Sequence, residues 1–293
     1  MSEHEPGREP HPSDPGRARR DASGAGGTPA RRRKSAGRQA GVRRRPSFRA
    51  EFRDLLSFIR RPAVAPRPGG RRAGNGFWLD WFPPLKVSRL LQWALLLWMV
   101  NMLFLGPIAV MAAGLGGATH RLNLQNIPWL TALLWAPVVE ELVFRYGLRR
   151  LKHLWWLLPA AVAAMLSGPG IAGGLLLAAF LLLCWLPHAG ERPAAQRPLP
   201  WRFRRAYLAR FPWVFHLSSL TFSAVHLYNF NLAQTPVWLL PLLVLPQWVT
   251  GMVLGWLRVR RGIGASILLH AIFNGGPLLV VWLVLRMAPQ MAL

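Results

Sequence analysis

Residues 127–150 read IPWLTALLWAPVVEELVFRYGLRR. A helix needs about 20 predominantly apolar residues to cross a bilayer. This stretch supplies them, interrupted by two adjacent carboxylates, Glu140 and Glu141, and ended by Arg145, Arg149 and Arg150. It reads as a membrane span that carries ionisable groups where they are costly to hold.

The rest of the 293-residue chain fits that reading. Hydrophobic residues make up 52% and charged residues 16%, yet the net charge is +25. Basic residues must therefore be confined to special places in an otherwise apolar chain. That excludes a simple soluble enzyme and disfavours a globular nucleic-acid binder, whose basic residues would cover a folded polar surface. The single cysteine, Cys184, excludes an intramolecular disulfide and a Cys-based zinc site.

Nineteen of the 36 Lys and Arg residues and seven of the 11 Asp and Glu residues lie in residues 1–75. Beyond them only four acids remain: Asp80, Glu140, Glu141 and Glu191. Residues 1–46 form an Arg-, Gly-, Pro- and Ser-rich tail with almost no large apolar side chain, so disorder is expected. No apolar run follows the first basic residues, as a signal peptide would require. The expected role of the tail is a solvated, orientation-setting segment. Anionic lipid is its expected partner, and nucleic acid is disfavoured because no aromatic interleaving accompanies the arginines.

Residues 47–86 read as an interfacial segment. Phe48, Phe52, Leu55, Leu56 and Ile59 recur at helical spacing among Arg49, Arg53, Arg60 and Arg61, as in an amphipathic helix on an anionic membrane surface. Phe77, Trp78, Trp81 and Phe82 follow as an aromatic belt.

Residues 87–288 are expected to form an all-α, polytopic transmembrane bundle. Seven spans are read at about 88–114, 127–149, 153–168, 170–187, 208–228, 237–258 and 263–286. The third and fourth are short, with a tight turn at Ser167-Gly168-Pro169-Gly170 between them. Basic breaks carry Arg145 to Lys152, Arg192 to Arg210, and Arg258 to Arg261; they alternate with nearly uncharged ones. Positive charge marks the cytoplasmic side. The N-terminus is then cytoplasmic and the C-terminus lies opposite. The Ala-, Arg-, Gly-, Pro- and Trp-rich composition points to a high-GC bacterial genome, and so to the inner membrane.

Glu141 and Arg145 lie four apart on one helix face, where they can form a salt bridge. Glu140 sits about 100° round the helix, unpaired, as suits a general base. Span 5 carries Phe222-Ser223-Ala224-Val225-His226, and span 7 carries His270-Ala271-Ile272-Phe273-Asn274. His270 and Asn274 share a face as hydrogen-bond donors. His216 is read as a packing residue. At about 1.5 Å rise per residue, Glu140 and His270 both lie about 14 Å inside their basic boundaries. His226 comes out about 24 Å from Arg210, a mismatch that needs a snorkelling Arg210, a start of the helix shifted by Pro212, or a steep tilt.

Glu140-Glu141-x-x-x-Arg145, Phe222-x-x-x-His226 and His270-x-x-x-Asn274, in this order on separate spans, resemble the CPBP intramembrane protease family. That family includes type II CAAX prenyl endopeptidases and bacteriocin-processing and immunity homologues. The resemblance covers about residues 88–286 and implies an endopeptidase acting at the membrane. In it, Glu140 activates a water that His226 helps hold, and His270 and Asn274 stabilise the oxyanion. Glu141, Arg145 and Phe222 support the geometry. A metal-free mechanism is preferred, because Asn274 is a good oxyanion donor and a poor zinc ligand and no His-Glu-x-x-His occurs. The other reading is zinc held by Glu140, His226 and His270.

Competing classes are a transporter or proton relay, which lacks an internal repeat here, and an inactive scaffold of the same family. The expected substrate is a peptide or a membrane-protein terminus. Gly251 and Gly255 in span 6 form a small-xxx-small pair, expected to serve internal packing before dimerisation. Gly262, Gly264, Gly275 and Gly276 are expected either to let substrate or backbone approach His270, or to break the helix after Asn274.

Overall fold

A computed structural model describes residues 46–64, 76–122, 126–189, 200–232 and 234–287. The expectations for residues 1–45, and for Glu191, Arg192 and Arg197, lie outside these. The described chain is almost entirely helical. Its helices are α1 (Phe48–Arg60), α2 (Trp78–Trp81), α3 (Val87–Val100), α4 (Gly106–Gly116), α5 (Ala136–Phe144), α6 (Leu151–Ser167), α7 (Ile171–Ala189), α8 (Trp201–Val225), α9 (Leu240–Leu243), α10 (Leu245–Arg260) and α11 (Ile263–Met287). The one strand pairing described is antiparallel, β1 (Thr119–His120) with β2 (Phe230–Asn231).

Among the described residues two helices are long and apolar enough to cross a membrane: Val87–Gly116, which joins α3 and α4, and α11. A third crossing is available if Val237–Leu243 and Leu245–Arg260, bent by 48°, count as one broken span. Their outward faces carry exposed large apolar side chains, among them Met102, Phe104, Met111, Leu115 and Val280. A surface of that kind belongs in lipid, and the protein is a membrane protein. The other segments of the seven-span expectation do not reach the mark by length and composition. The apolar parts of α6 and α7, Leu157–Ser167 and Ile171–Leu186, are short. They form a hairpin through Gly168, whose φ of 68° only glycine adopts at low cost. Helix α8 is 25 residues long but carries Arg202, Arg204, Arg205 and Arg210 in its first ten.

Two π turns, Asn101–Leu105 and Thr131–Trp135, interrupt the helices. Each is followed after one residue by a proline, Pro107 or Pro137. Proline lacks an N–H and its ring clashes with the carbonyl four residues back. Widening the preceding turn relieves the clash, at the cost of leaving carbonyls without a helical donor.

The core falls into clusters. One joins α1, α3, α8, α10 and α11 through Leu55, Phe58, Trp93, Phe215, Trp256 and Leu269. A second joins α2, α5, α6, α7 and the start of α11 through Trp81, Leu142, Tyr146, Phe180 and Ile263. The segment expected at the interface therefore faces largely inward. Leu55 and Phe58 are buried, leaving Phe52 and Leu56 exposed, and Phe77 and Trp81 are buried as well. Charge explains the inward turn. Asp54 accepts from both Arg260 nitrogens Nε and Nη2 at 2.8 Å and from Trp256 Nε1 at 2.8 Å. Buried Glu51 accepts from Trp93 Nε1 at 3.2 Å and pairs with Arg261. Asp80, 1% exposed, pairs with Arg258 and lies 3.3 Å from Arg150 Nε.

The basic breaks meet at one end. Arg149 donates to Val259 O at 2.8 Å, Tyr207 to Leu148 O at 2.8 Å, and α1 docks on Arg260 and Arg261. Arg258, counted among the charges of a basic break, is fully buried at the end of α10. At the other end β1 and β2 join the two nearly uncharged breaks in which they lie, where Arg121 donates to Asn231 Oδ1 at 2.7 Å.

Of the readings offered for the glycines in and just before α11, a close approach of backbone is met at Gly262 and Gly264, and a helix break after Asn274 is not. The helix continues through Gly275 and Gly276 to Met287. Gly262, with φ of 132°, and Gly264 let the Asp80 and Trp81 backbone close in: an added Cβ would sit 2.5 Å from Asp80 O and 1.9 Å from Trp81 O. They seat the segment around α2, not a substrate.

Candidate active site

Helix α5 presents its adjacent carboxylates in different directions, as 100° per residue requires. Glu141 points into the protein and is 0% exposed, whereas the Glu140 side chain is 18% exposed. Two residues beyond Pro137 the helix is regular again; it ends at Phe144, where Arg145 N–H bonds Glu141 O at 3.0 Å.

The Arg145 guanidinium returns to donate to Glu141 Oε1, realising the four-residue pairing. It also lies over the Phe222 ring, 4.0 Å from the centroid, a cation–π contact in a desolvated place. Gly251 of α10 makes room for both: a Cβ there would lie 3.0 Å from the Phe222 ring and 3.4 Å from Arg145 Nη2. Gly255 does the same for Phe215, at 2.8 Å. The small-xxx-small pair thus serves internal packing.

Ser266, one turn before His270 on α11, donates to Glu141 Oε2, and its hydroxyl also lies 3.0 Å from Leu254 O. His270 Nδ1 lies 3.1 Å from Glu141 Oε1. An ionised carboxylate only accepts, so the network assigns a proton to Nδ1 and turns Nε2 outward. The same logic holds on α8, where His226 Nδ1 lies 2.8 Å from Phe222 O, an acceptor. The two outward nitrogens meet at Glu140. Its Oε2 is 4.0 Å from His226 Nε2 and 3.7 Å from His270 Nε2. Both separations are too long for direct hydrogen bonds. Glu140 Oε2 is buried and has no hydrogen-bond partner in the structure.

Asn274 lies one turn beyond His270. Its Nδ2 donates to Ala132 O at 3.1 Å, in the π turn ahead of α5. The Phe222 ring fills the floor, 4.7 Å from the His226 ring centroid and 5.8 Å from that of His270. Glu140, His226, His270 and Asn274 are thereby gathered between α5, α8 and α11, with Glu141, Arg145 and Phe222 behind them. His216 is elsewhere, packed edge-on against Phe215 at 5.1 Å. Tyr207 and Ser218 of α8, and His226 just after it, meet Leu148, Phe144 and Glu140 in turn.

Three contributors were not picked out from sequence. Ser266 extends the His270 and Asn274 stripe back by one turn, so the four-residue spacing held the signal. Ala132 acts through a main-chain carbonyl, which residue type does not report. Arg258 supports the site from below, donating to Arg145 O at 3.0 Å and Tyr146 O at 3.1 Å. Among the described residues no group of three or more His, Cys, Asp or Glu is arranged to hold a metal ion.

A family model described as type II CAAX prenyl endopeptidase Rce1-like matches residues 122–276, more than half of the chain. The chain belongs to the Rce1-like type II CAAX prenyl endopeptidase family. That is a family of membrane proteases, and peptidase activity at a membrane is the general function it carries. No curated protein and no solved structure matches the chain. The Rce1-like region begins after α4 and ends two residues past Asn274, so it contains every residue gathered at the site. Helices α1 to α4 lie outside it.

Proposed function

We propose that this protein is an intramembrane endopeptidase in which Glu140 activates a water for attack on a peptide carbonyl. The observation that carries the reading is Glu140 Oε2, buried, without a hydrogen-bond partner, and faced by two imidazole nitrogens at 3.7 and 4.0 Å. Polar atoms at such separations are bridged by a molecule the size of water. Glu140 accepts a proton as the water oxygen bonds to the carbonyl carbon, and His226 Nε2 holds the water in line.

Negative charge then develops on the carbonyl oxygen and calls for donors fixed in advance. Asn274 has a second amide proton beyond the one given to Ala132. His270 is oriented by the Glu141 carboxylate at Nδ1, as the aspartate orients the imidazole in a Ser-His-Asp triad, so that its Nε2 faces the same place. The C–N bond breaks as Glu140 returns its proton to the leaving nitrogen. Each step uses groups of this chain, and none is routed through a metal. Chelator treatment with metal analysis of the purified protein tests this: activity persists without stoichiometric metal, whereas chelator-sensitive activity with stoichiometric zinc overturns it.

The substrate is read as a peptide or the terminus of a membrane protein. The proposal includes seven crossings with the N-terminus cytoplasmic, supported by the basic breaks meeting at one end and β1–β2 joining nearly uncharged breaks at the other. Anionic lipid is the proposed partner of the outer face of α1, where Arg49, Arg53 and Arg60 stand exposed beside Phe52 and Leu56.

Cleavage of a broad peptide library by the protein in detergent tests the activity. Wild type cleaves, and Glu140→Gln falls by about 10²–10⁴-fold, the usual worth of a positioned base. Equal cleavage by both would sink the assignment.

A further inference from the structure

Two prolines flank Asn274 in space, and each leaves a main-chain carbonyl without its helical donor. Pro137 is the second residue of α5, directly after the π turn Thr131–Trp135. In that turn Ala136 N–H bonds Thr131 O. The next donor in register, at residue 137, would reach Ala132 O, but proline has no N–H. The carbonyl is taken instead by Asn274 Nδ2, at 3.1 Å from across the site. Pro277 lies inside α11, four residues after Phe273. It withholds the donor that would reach Phe273 O, and Trp98 Nε1 of α3 supplies one at 2.9 Å. The Trp98 ring lies close against the helix there, where a Cβ on Gly276 would meet it at 2.1 Å. Both carbonyls are part-buried, and a carbonyl left unpaired away from water is costly, which favours each side-chain donor.

We propose that Pro137 is a positioning residue for catalysis: by withholding an N–H from the Ala132 carbonyl, it makes that carbonyl the anchor for one amide proton of Asn274 and so aims the other at the oxyanion. Pro277 and Trp98 fix α11 on its opposite side by the same device. The proposal rests on the hydrolytic reading of Asn274 above. An asparagine free to rotate would present oxygen or nitrogen to the reacting carbonyl with little preference. One anchored through Nδ2 keeps the amide nitrogen towards the site. π turns recur at functional sites, and here the turn exposes a carbonyl where a donor must be oriented.

The test is a double-mutant cycle with two readouts. In thermal unfolding in detergent, Asn274→Ala lowers Tm in the wild-type background. It lowers Tm clearly less in the Pro137→Ala background, where the new N–H takes over Ala132 O. Equal shifts in both backgrounds overturn the anchor. In kinetics, Pro137→Ala lowers kcat by about tenfold or more, approaching the 10²–10³ lost with one oxyanion donor. KM stays unchanged, and an unchanged kcat overturns the positioning role. Pro137→Val supplies the same N–H with a larger side chain and is read in the same way if the alanine variant does not fold. If the stability cycle shows coupling while Asn274→Ala cleaves like wild type, the anchor stands and the oxyanion role falls. The two claims therefore fail separately.

Discussion

Glu141 satisfies three donors with two oxygens. Arg145 and His270 share Oε1, and Ser266 takes Oε2. This explains why the residue next to the proposed base is itself ionisable: it fixes the proton of His270 on Nδ1 and turns Nε2 towards Glu140. Ser266→Ala is expected to leave Oε2 unpaired in a buried place and to cost about 1–3 kcal/mol of stability, read in thermal unfolding. No loss would remove Ser266 from the network. Gly251→Ala pushes a methyl into the contact between Phe222 and Arg145. Overpacking of this kind costs about 1–3 kcal/mol, and activity should fall with stability because the Phe222 ring also supports His226 and His270. Wild-type stability and turnover in that variant would show that the contact has slack. The residues of the three motifs were legible because spacing alone puts Glu141 with Arg145, and His270 with Asn274, on common faces. Ala132 was not, because its part depends on a π turn and a missing N–H two elements away from Asn274.

At the scale of elements, the break after α5 is held by a buried ion pair foreign to the motif. Arg258 ties Asp80, from before the first long helix, to the main-chain carbonyls of Arg145 and Tyr146. Asp80→Ala takes the carboxylate from a fully buried arginine, a loss that typically costs about 3–5 kcal/mol. The expected result is a large fall in Tm with loss of activity through displaced Arg145. A wild-type Tm would mean that the other Arg258 contacts suffice. The sequence shows Asp80 as one of four acids in the apolar part of the chain, and Arg258 as one of several arginines at a span end. Their pairing is hidden because 178 residues separate them. Span limits were only partly legible for a related reason. Arg202, Arg204, Arg205 and Arg210 lie within α8 itself, so the basic residues of that break do not mark where the helix begins.

On the scale of the whole molecule, charge sorts the ends. The acids of α1 and Asp80 pair with arginines near the basic breaks, while the opposite end is closed by β1 and β2. Overall charge and apolar content announced a membrane protein, and that much was legible from composition. How many helices cross was not, since α6 and α7 are short and α8 mixes apolar and basic faces. Orientation is testable by labelling intact cells with a membrane-impermeant maleimide in a Cys184→Ala background. A cysteine at Ser167 is expected to react from outside, and one at Arg202 only after the membrane is opened. The reverse pattern would invert the proposed topology.

The account stands most directly on Glu140. A side-by-side turnover measurement of purified wild type and Glu140→Gln, with both shown to be folded by equal Tm, tests it. The prediction is peptide cleavage by wild type and at least about a hundredfold less by the variant. Equal turnover in the two proteins would contradict a mechanism in which Glu140 takes the proton of the attacking water.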